Sequence, residues 1–252
     1  MTPTFCINLA RRPDRWARIE DHAAAAGLAV RRVEAVDAAD PAAPVHPIAP
    51  GGPLGPVPRP ALACTASHAA AWARVVESGA PWALILEDDA ELAPDTGAVV
   101  EALAEADPAL PLVKLEAGGT LPLGMLCGPA LMECGDGRVL RRAHQLATDA
   151  AAYMISAAGA RAALAGLAAC DVPVDHYLFY PRRRRGSLGL PFGLVDPAPA
   201  RQPRTDASDI APSRRKGTPR TKLTRGWYEA AQAPGMLRAL AGGARVRKVG
   251  FR

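Results

Sequence analysis

The residues of this sequence best suited to chemistry are three consecutive acids, Glu87-Asp88-Asp89, which end the apolar run Trp82-Ala-Leu-Ile-Leu86. Such an unbroken run reads as a strand buried on both faces, so the acids emerge where desolvation and mutual repulsion make them costly. Strand alternation puts Glu87 and Asp89 on one side and Asp88 on the other. In open α/β sheets, ligands sit beyond the carboxyl ends of the strands. Hard oxygen ligands at such a place suit Mg²⁺ or Mn²⁺, which bridge the two phosphates of a nucleotide. The competing reading is a solvated acidic turn that caps the following helix.

A second group is Cys64, Ser67, His68 and Trp72. Cys64, His68 and Trp72 are spaced i, i+4, i+8 and share one helix face. Three readings stay open. Ser67 and His68 contact a ligand from a helix N-terminus, where backbone N–H groups favour phosphate. Alternatively, Cys64 and His68 form a nucleophile–base pair, although no orienting third group is evident. In the third reading the set is a buried thiol, a hydrogen-bonded imidazole and a core indole.

The elements that must position these groups follow from the hydrophobic pattern. Thr4–Leu9 reads as a strand, Pro13 to about Ala26 as a helix stopped by Gly27, and Leu28–Val36 as a second strand. A strand–helix–strand opening predicts an α/β domain with a mostly parallel central sheet flanked by helices. Pro41–Pro60 holds eight prolines and three glycines, which excludes a helix or central strand and predicts a long surface loop of the binding or lid kind. Ala61–Ser78 returns to helical spacing. A helix over Asp95–Ala106, a strand over Leu112–Glu116 and mixed short strands over Leu121–Leu140 follow. Next come a strand at Ala151–Ser156, a helix at Ala157–Ala168 and a helix or turn at Val174–Phe179. Beyond residue 181 the pattern degrades, leaving a basic, partly irregular extension over 182–252 with a helix around Trp227–Leu240.

Composition bounds the partners. A chain of 252 residues with 49% hydrophobic and 22% charged residues has enough apolar surface for a core, which excludes wholesale disorder. No apolar run is long enough to span a bilayer, and the N-terminus lacks a signal-peptide pattern, so a cytoplasmic location is expected. Five cysteines without CxxC spacing argue against a disulfide framework or structural zinc. Residues 1–181 hold 13 Lys/Arg against 21 Asp/Glu, and residues 182–252 hold 17 against 4, giving an acidic body of −8 and a basic tail of +13. The tail, with Arg182–Arg185 at its start, is expected to meet something anionic: an inner-membrane surface, a phosphorylated glycan or nucleic acid.

Taken together, several of these motifs resemble glycosyltransferase family 25, the lipopolysaccharide and lipooligosaccharide sugar transferases. The resemblance rests on Ile7-Asn8-Leu9 with Arg11-Arg12-Pro-Asp14-Arg15, Ala63-Cys64-x-x-Ser67-His68-x-x-x-Trp72, and Leu84-Ile-Leu-Glu87-Asp88-Asp89. Val113-Lys114-Leu115-Glu116, Tyr153-Met-Ile-Ser156 with Gly159-Ala160, and Pro173-Val-Asp175 fit it too, and Gln202 followed by Ser208-Asp209-Ile210 fits more weakly. It implies a GT-A-like nucleotide-diphospho-sugar transferase fold over 1–181. It also implies a UDP-sugar donor carrying galactose or glucose, Mn²⁺ or Mg²⁺, and inversion at the anomeric carbon. Carried over, Asp89 and then Glu87 are the metal ligands. Asn8, Arg12, Arg15 and Asp88 lie with the nucleotide, and Ser67 and His68 line the same pocket. The Pro-rich 41–60 loop and the arginine run depart from the family pattern.

An inverting transfer needs a base for the acceptor hydroxyl. Asp175 is the expected base, or else a cap of the turn that follows it, and His176 is the second candidate. Lys114 either contacts the phosphates or is only a strand residue. The expected acceptor is a cell-envelope glycan. The alternatives are a catalytically inactive, glycan-binding family member and a basic-tailed nucleic-acid-binding protein. The second alternative is disfavoured by few aromatics and no recognition motif, so no nucleic acid is expected.

Overall fold

The computed structural model describes residues 1–47, 52–117, 124–182, 184, 186–203 and 219–252, with only the backbone of 219–222. The opening unit is β1 (Thr4–Asn8), α1 (Pro13–Ala25) and β2 (Val30–Glu34). Gly27, at φ +74°, takes the left-handed conformation that ends α1 as its sequence position predicts. Then come α2 (Arg59–Ser78), β3 (Trp82–Glu87), β4 (Glu91–Leu92), α3 (Thr96–Ala106) and β5 (Leu112–Lys114). A hairpin of β6 (Met125–Glu133) and β7 (Val139–Ala143) precedes β8 (Ala152–Ser156), α4 (Ala157–Gly166) and α5 (Val174–Leu178). The chain continues through β9 (Phe192–Asp196), β10 (Ala200–Arg201), α6 (Pro219–Ala230), α7 (Ala233–Ala241) and β11 (Arg245–Arg247).

Among the described residues nine strands form one sheet in the order β11-β6-β7-β9-β5-β8-β3-β1-β2. The β2-β1-β3 core is parallel, as is β5-β9, whereas β8 runs antiparallel to both neighbours and β11, β6 and β7 pair antiparallel. The expected mostly parallel sheet is therefore a mixed sheet around a parallel core. Its antiparallel part arises where a hairpin and the antiparallel strand β8 replace helix crossovers. Phe192–Asp196 lies past the boundary read at residue 181, yet it pairs with both β5 and β7, so the sheet crosses that boundary. The single helix expected around Trp227–Leu240 is two helices, broken at residues 231–232.

Both faces of the central strands are buried, and alternation divides them cleanly. Phe5, Ile7, Ile85, Tyr153 and Ile155 point to one side, with Ala71, Trp72 and Val75 of α2 and Ala160 and Ala163 of α4. Cys6, Leu84, Leu86 and Met154 point to the other, with Ile19 and Ala23 of α1 and Val99, Val100 and Leu103 of α3. This is the two-layer cover that continuous apolar strands require. Small side chains allow close approach, as at Gly97, where an added Cβ would lie 2.4 Å from the Ala26 carbonyl oxygen.

The Pro-rich segment contains no strand among its described residues, and helix begins only at Arg59, with Pro60 in the first turn where a missing N–H costs nothing. The Arg59 guanidinium reaches back to the carbonyls of Ala38, Asp40 and Pro41, fastening the start of the loop over α2. Ser208-Asp209-Ile210, Arg183 and Arg185 lie outside the described residues.

Candidate active site

A cavity of about 350 Å³ opens where β1 and β3 end, walled by the first turns of α2 and by residues 35–39. Arg11, Arg15, Cys64, Ser67, His68 and the three acids 87–89 line it, with Gln202 arriving from beyond β10. The chain order of the sheet explains the place. Parallel β1 and β3 present their carboxyl ends side by side, Ile7 opposite Glu87, and α2 crosses above them.

The three acids take three directions. The Asp88 carboxylate turns under α1, accepting from Asn8 Nδ2 at 2.7 Å and pairing with Arg15 Nη1 at 3.2 Å, while Arg18 donates to its backbone carbonyl. Asp88 is thus committed to holding the β1–α1 turn. Glu87 turns toward α2 and meets His68. Asp89 accepts from Gln202 Nε2 at 2.9 Å through Oδ2, while its Oδ1 is buried without a partner among the described residues, as is Oδ1 of Asn8. Burial first, and the Glu87 charge second, raise the Asp89 carboxyl from 3.8 to about 6.

His68 is fully buried and both its ring nitrogens are engaged. Trp72 Nε1 can only donate, and its bond to Tyr153 Oη at 2.8 Å makes that oxygen an acceptor. The Tyr153 hydroxyl proton then points to His68 Nδ1 at 2.9 Å, leaving Nε2–H to donate to Glu87 Oε1 at 3.0 Å. Trp72, Tyr153, His68 and Glu87 are therefore one directed chain of donors. Ser67 is equally committed: its hydroxyl accepts from Val36 N and donates to Ala63 O, both at 2.8 Å. Ser67 and His68 reach the cavity as expected, but as wall and support; their polar atoms are already paired.

The nucleophile–base reading of Cys64 fails on this geometry. His68 aims at Glu87, the Cys64 thiol also faces Glu87 at 3.9 Å, and burial together with that charge pushes the thiol well above its ordinary pKa. A thiol held protonated is a poor nucleophile. Cys64, His68 and Glu87 each place a ligand atom within 4.8 Å of the others, yet only Glu87 keeps an uncommitted donor. The fit to a hard divalent cation lies one step away, at the unpartnered Asp89 oxygen beside Glu87, where two carboxylates repel.

Other residues singled out in the sequence lie elsewhere. Arg12 pairs with Asp14, its Nη2 2.8 Å from Oδ2. Lys114 is buried away from the cavity, ion-paired with Glu116, donating to the Asp149 carbonyl at 2.6 Å and packed over the Phe179 ring. Asp175 accepts from Asp149 N at 3.1 Å and from His176 N at 2.8 Å, and its charge is felt at Cys64. Its second bond runs to the next residue within α5, so it does not cap the helix from outside. His176 Nδ1 lies 2.9 Å from Tyr228 Oη, joining α5 to α6, and burial lowers its pKa.

Two contributors were not assigned site roles from the sequence. Tyr153 orients His68, and Gln202 orients Asp89. Tyr153 and Gln202 each sit in a quoted motif, but only the sheet register, which sets β8 against β3, brings Tyr153 to His68.

Residues 1–118 match the family model described as glycosyltransferase family 25 (LPS biosynthesis protein). That match includes every cavity residue named above except Gln202. No curated protein matches the chain.

Proposed function

We propose, for a chain whose residues 1–118 match the glycosyltransferase family 25 model, a metal-dependent inverting hexosyltransferase on a GT-A-like fold. Its donor is UDP-galactose or UDP-glucose and its acceptor a cell-envelope glycan such as lipopolysaccharide. The observation that carries the reading is the unpartnered, buried Asp89 oxygen beside Glu87 in a ligand-sized cavity at the strand ends.

Asp89 and Glu87 would hold Mn²⁺ or Mg²⁺. When bound, such an ion stabilises the charge that grows on the leaving diphosphate. The chain's own residues supply the remainder. Arg11 and Arg15 line the cavity with positive charge for an anionic donor. His68 fixes the carboxylate plane of Glu87. Gln202 fixes that of Asp89. Asp88 with Asn8 and Arg15 keeps the turn that presents both acids. Asp175 is the proposed base, with His176, whose pKa burial lowers, as the second candidate. Both await the acceptor, whose approach they would receive from the α5 side.

The test is a panel of UDP-sugars assayed for UDP release with and without Mn²⁺. Turnover of a UDP-hexose that stops on chelation is expected. Release of equal rate without metal, or no release from any hexose donor in the presence of an acceptor glycan, overturns the reading. Direct displacement also needs no enzyme nucleophile, so Cys64→Ala is expected to retain turnover within about threefold and to fold normally. Complete loss of activity in a folded Cys64→Ala protein sinks the single-displacement scheme.

A further inference from the structure

The outward face of the C-terminal helical pair is apolar. On α7, Ala233, Leu237, Leu240 and Ala241 recur at i, i+4, i+7 and i+8 and form one stripe. All four are exposed, Leu237 at 67% and Leu240 at 42%, while Gly235, Met236 and Ala239 on the opposite side are half-buried. The helix thus turns its apolar stripe away from the body, the reverse of a surface helix in a soluble protein. On α6, Leu223 and Trp227 are one turn apart and 64% and 73% exposed, although Tyr228 beside them is buried. Val246 of the edge strand β11 is exposed as well.

The charge on α7 and β11 has one sign, and the one acid of α6, Glu229, is paired with Arg225 at 2.9 Å. Residues 233–252 contain five basic residues and no acid. Arg247 and Arg252 reach Asp196 and Asp136. Among the described residues no carboxylate pairs with Arg238, Arg245 or Lys248. By contrast, the described members of the arginine run contact the helical pair and the body: exposed Arg182 donates to the Ala231 carbonyl at 3.0 Å, and half-buried Arg184 pairs with Asp171 while lying 4.4 Å from the Tyr228 ring centroid. Arg182 and Arg184 fasten the helical pair to the body.

We propose that α6, α7 and β11 form a docking surface for an anionic lipid bilayer. Exposed leucines with a tryptophan enter the headgroup–acyl boundary, and flanking basic side chains reach lipid phosphates. No helix among the described residues is long and apolar enough to cross a membrane, so the contact is peripheral. A net positive charge selects an anionic surface over a neutral one. The proposal requires nothing of the transfer reaction, and its test reads vesicles alone.

The experiment is co-sedimentation of the full chain with phosphatidylcholine vesicles with and without phosphatidylglycerol, across a salt series. Binding that needs phosphatidylglycerol and weakens with salt is expected, together with a blue shift in tryptophan emission that Trp227→Phe removes. Leu237→Glu with Leu240→Glu should weaken partitioning roughly tenfold or more. Arg238→Gln with Lys248→Gln should weaken it and flatten its salt dependence. These positions are exposed, so the variants are expected to fold, and unchanged circular dichroism checks that. Binding indifferent to both pairs of substitutions, or no binding to anionic vesicles, overturns the proposal. A concentration-dependent dimer abolished by Leu237→Glu overturns it too, since a second copy would then cover the face.

Discussion

Asp89→Asn is expected to abolish metal-dependent UDP-sugar turnover, by on the order of a hundredfold or more, while making the metal-free protein more stable at pH 8. The two effects have one cause. The Asp89 carboxyl titrates at about 6 in the folded chain against 3.8 in a model carboxylic acid, because burial and the Glu87 charge oppose its ionised form. A raised carboxyl pKa means that the folded state holds its proton more tightly than the unfolded state. The favourable contribution is therefore complete below about pH 4 and is lost as pH rises through about 6. Above that, an ionised Asp89 costs on the order of 2 kcal/mol that an amide does not. Asparagine keeps an oxygen for Gln202, so that bond survives. The melting temperature of Asp89→Asn should exceed wild type at pH 8 and the gain should vanish toward pH 4. Mn²⁺ should stabilise the wild type and leave the variant unmoved, because a ligand stabilises only a state that binds it. Near-normal turnover in the variant, or a variant less stable than wild type at pH 8, contradicts the assignment of Asp89.

The segments legible in the sequence are those whose pattern is local. The run 82–86 is apolar at every position, and Gly27 follows a helical period, so β3 and the end of α1 can be read without knowing their neighbours. The division of Glu87 from Asp88 follows from strand alternation alone. What alternation does not give is the partner across 80 residues: Asn8 beneath Asp88 is a consequence of β1 pairing with β3. The same holds for β9. Phe192–Asp196 is a short run in a Gly- and Pro-rich stretch, and its place between β5 and β7 depends wholly on strands far from it in sequence. Arg184 shows the same dependence. Within a run of four cations it looks solvent-directed until the structure supplies Asp171 and the Tyr228 ring. Lys114 is the case where a local signal existed. Lys-x-Glu on a strand puts both side chains on one face, which is a buried pair in waiting and leaves no ammonium for phosphate.

His68 carries the sharpest difference between a contact residue and a positioning residue. A histidine touching the donor would, when removed, raise the donor KM and leave metal dependence alone. The geometry predicts the opposite. His68→Ala takes the Nε2–H from Glu87 and the acceptor from the Tyr153 hydroxyl, and the Tyr153 hydroxyl is itself fully buried. Buried Tyr153 and half-buried Glu87 lose a partner and a cavity opens, which should cost about 2–4 kcal/mol of stability. Glu87 keeps its charge and loses its orientation, so the Mn²⁺ concentration for half-maximal rate should rise roughly tenfold to a hundredfold, as when an outer-shell partner of a metal ligand is removed. At saturating Mn²⁺ the donor KM should stay near wild type. Tyr153→Phe should move the same quantities in the same direction by less. It leaves the His68–Glu87 bond in place but removes the hydroxyl that fixes the imidazole tautomer and orphans the Trp72 N–H. The ordering of the two variants is the discriminating result. If Tyr153→Phe leaves metal dependence untouched while His68→Ala raises the donor KM at saturating Mn²⁺, the chain of donors is only packing and His68 belongs to the donor site.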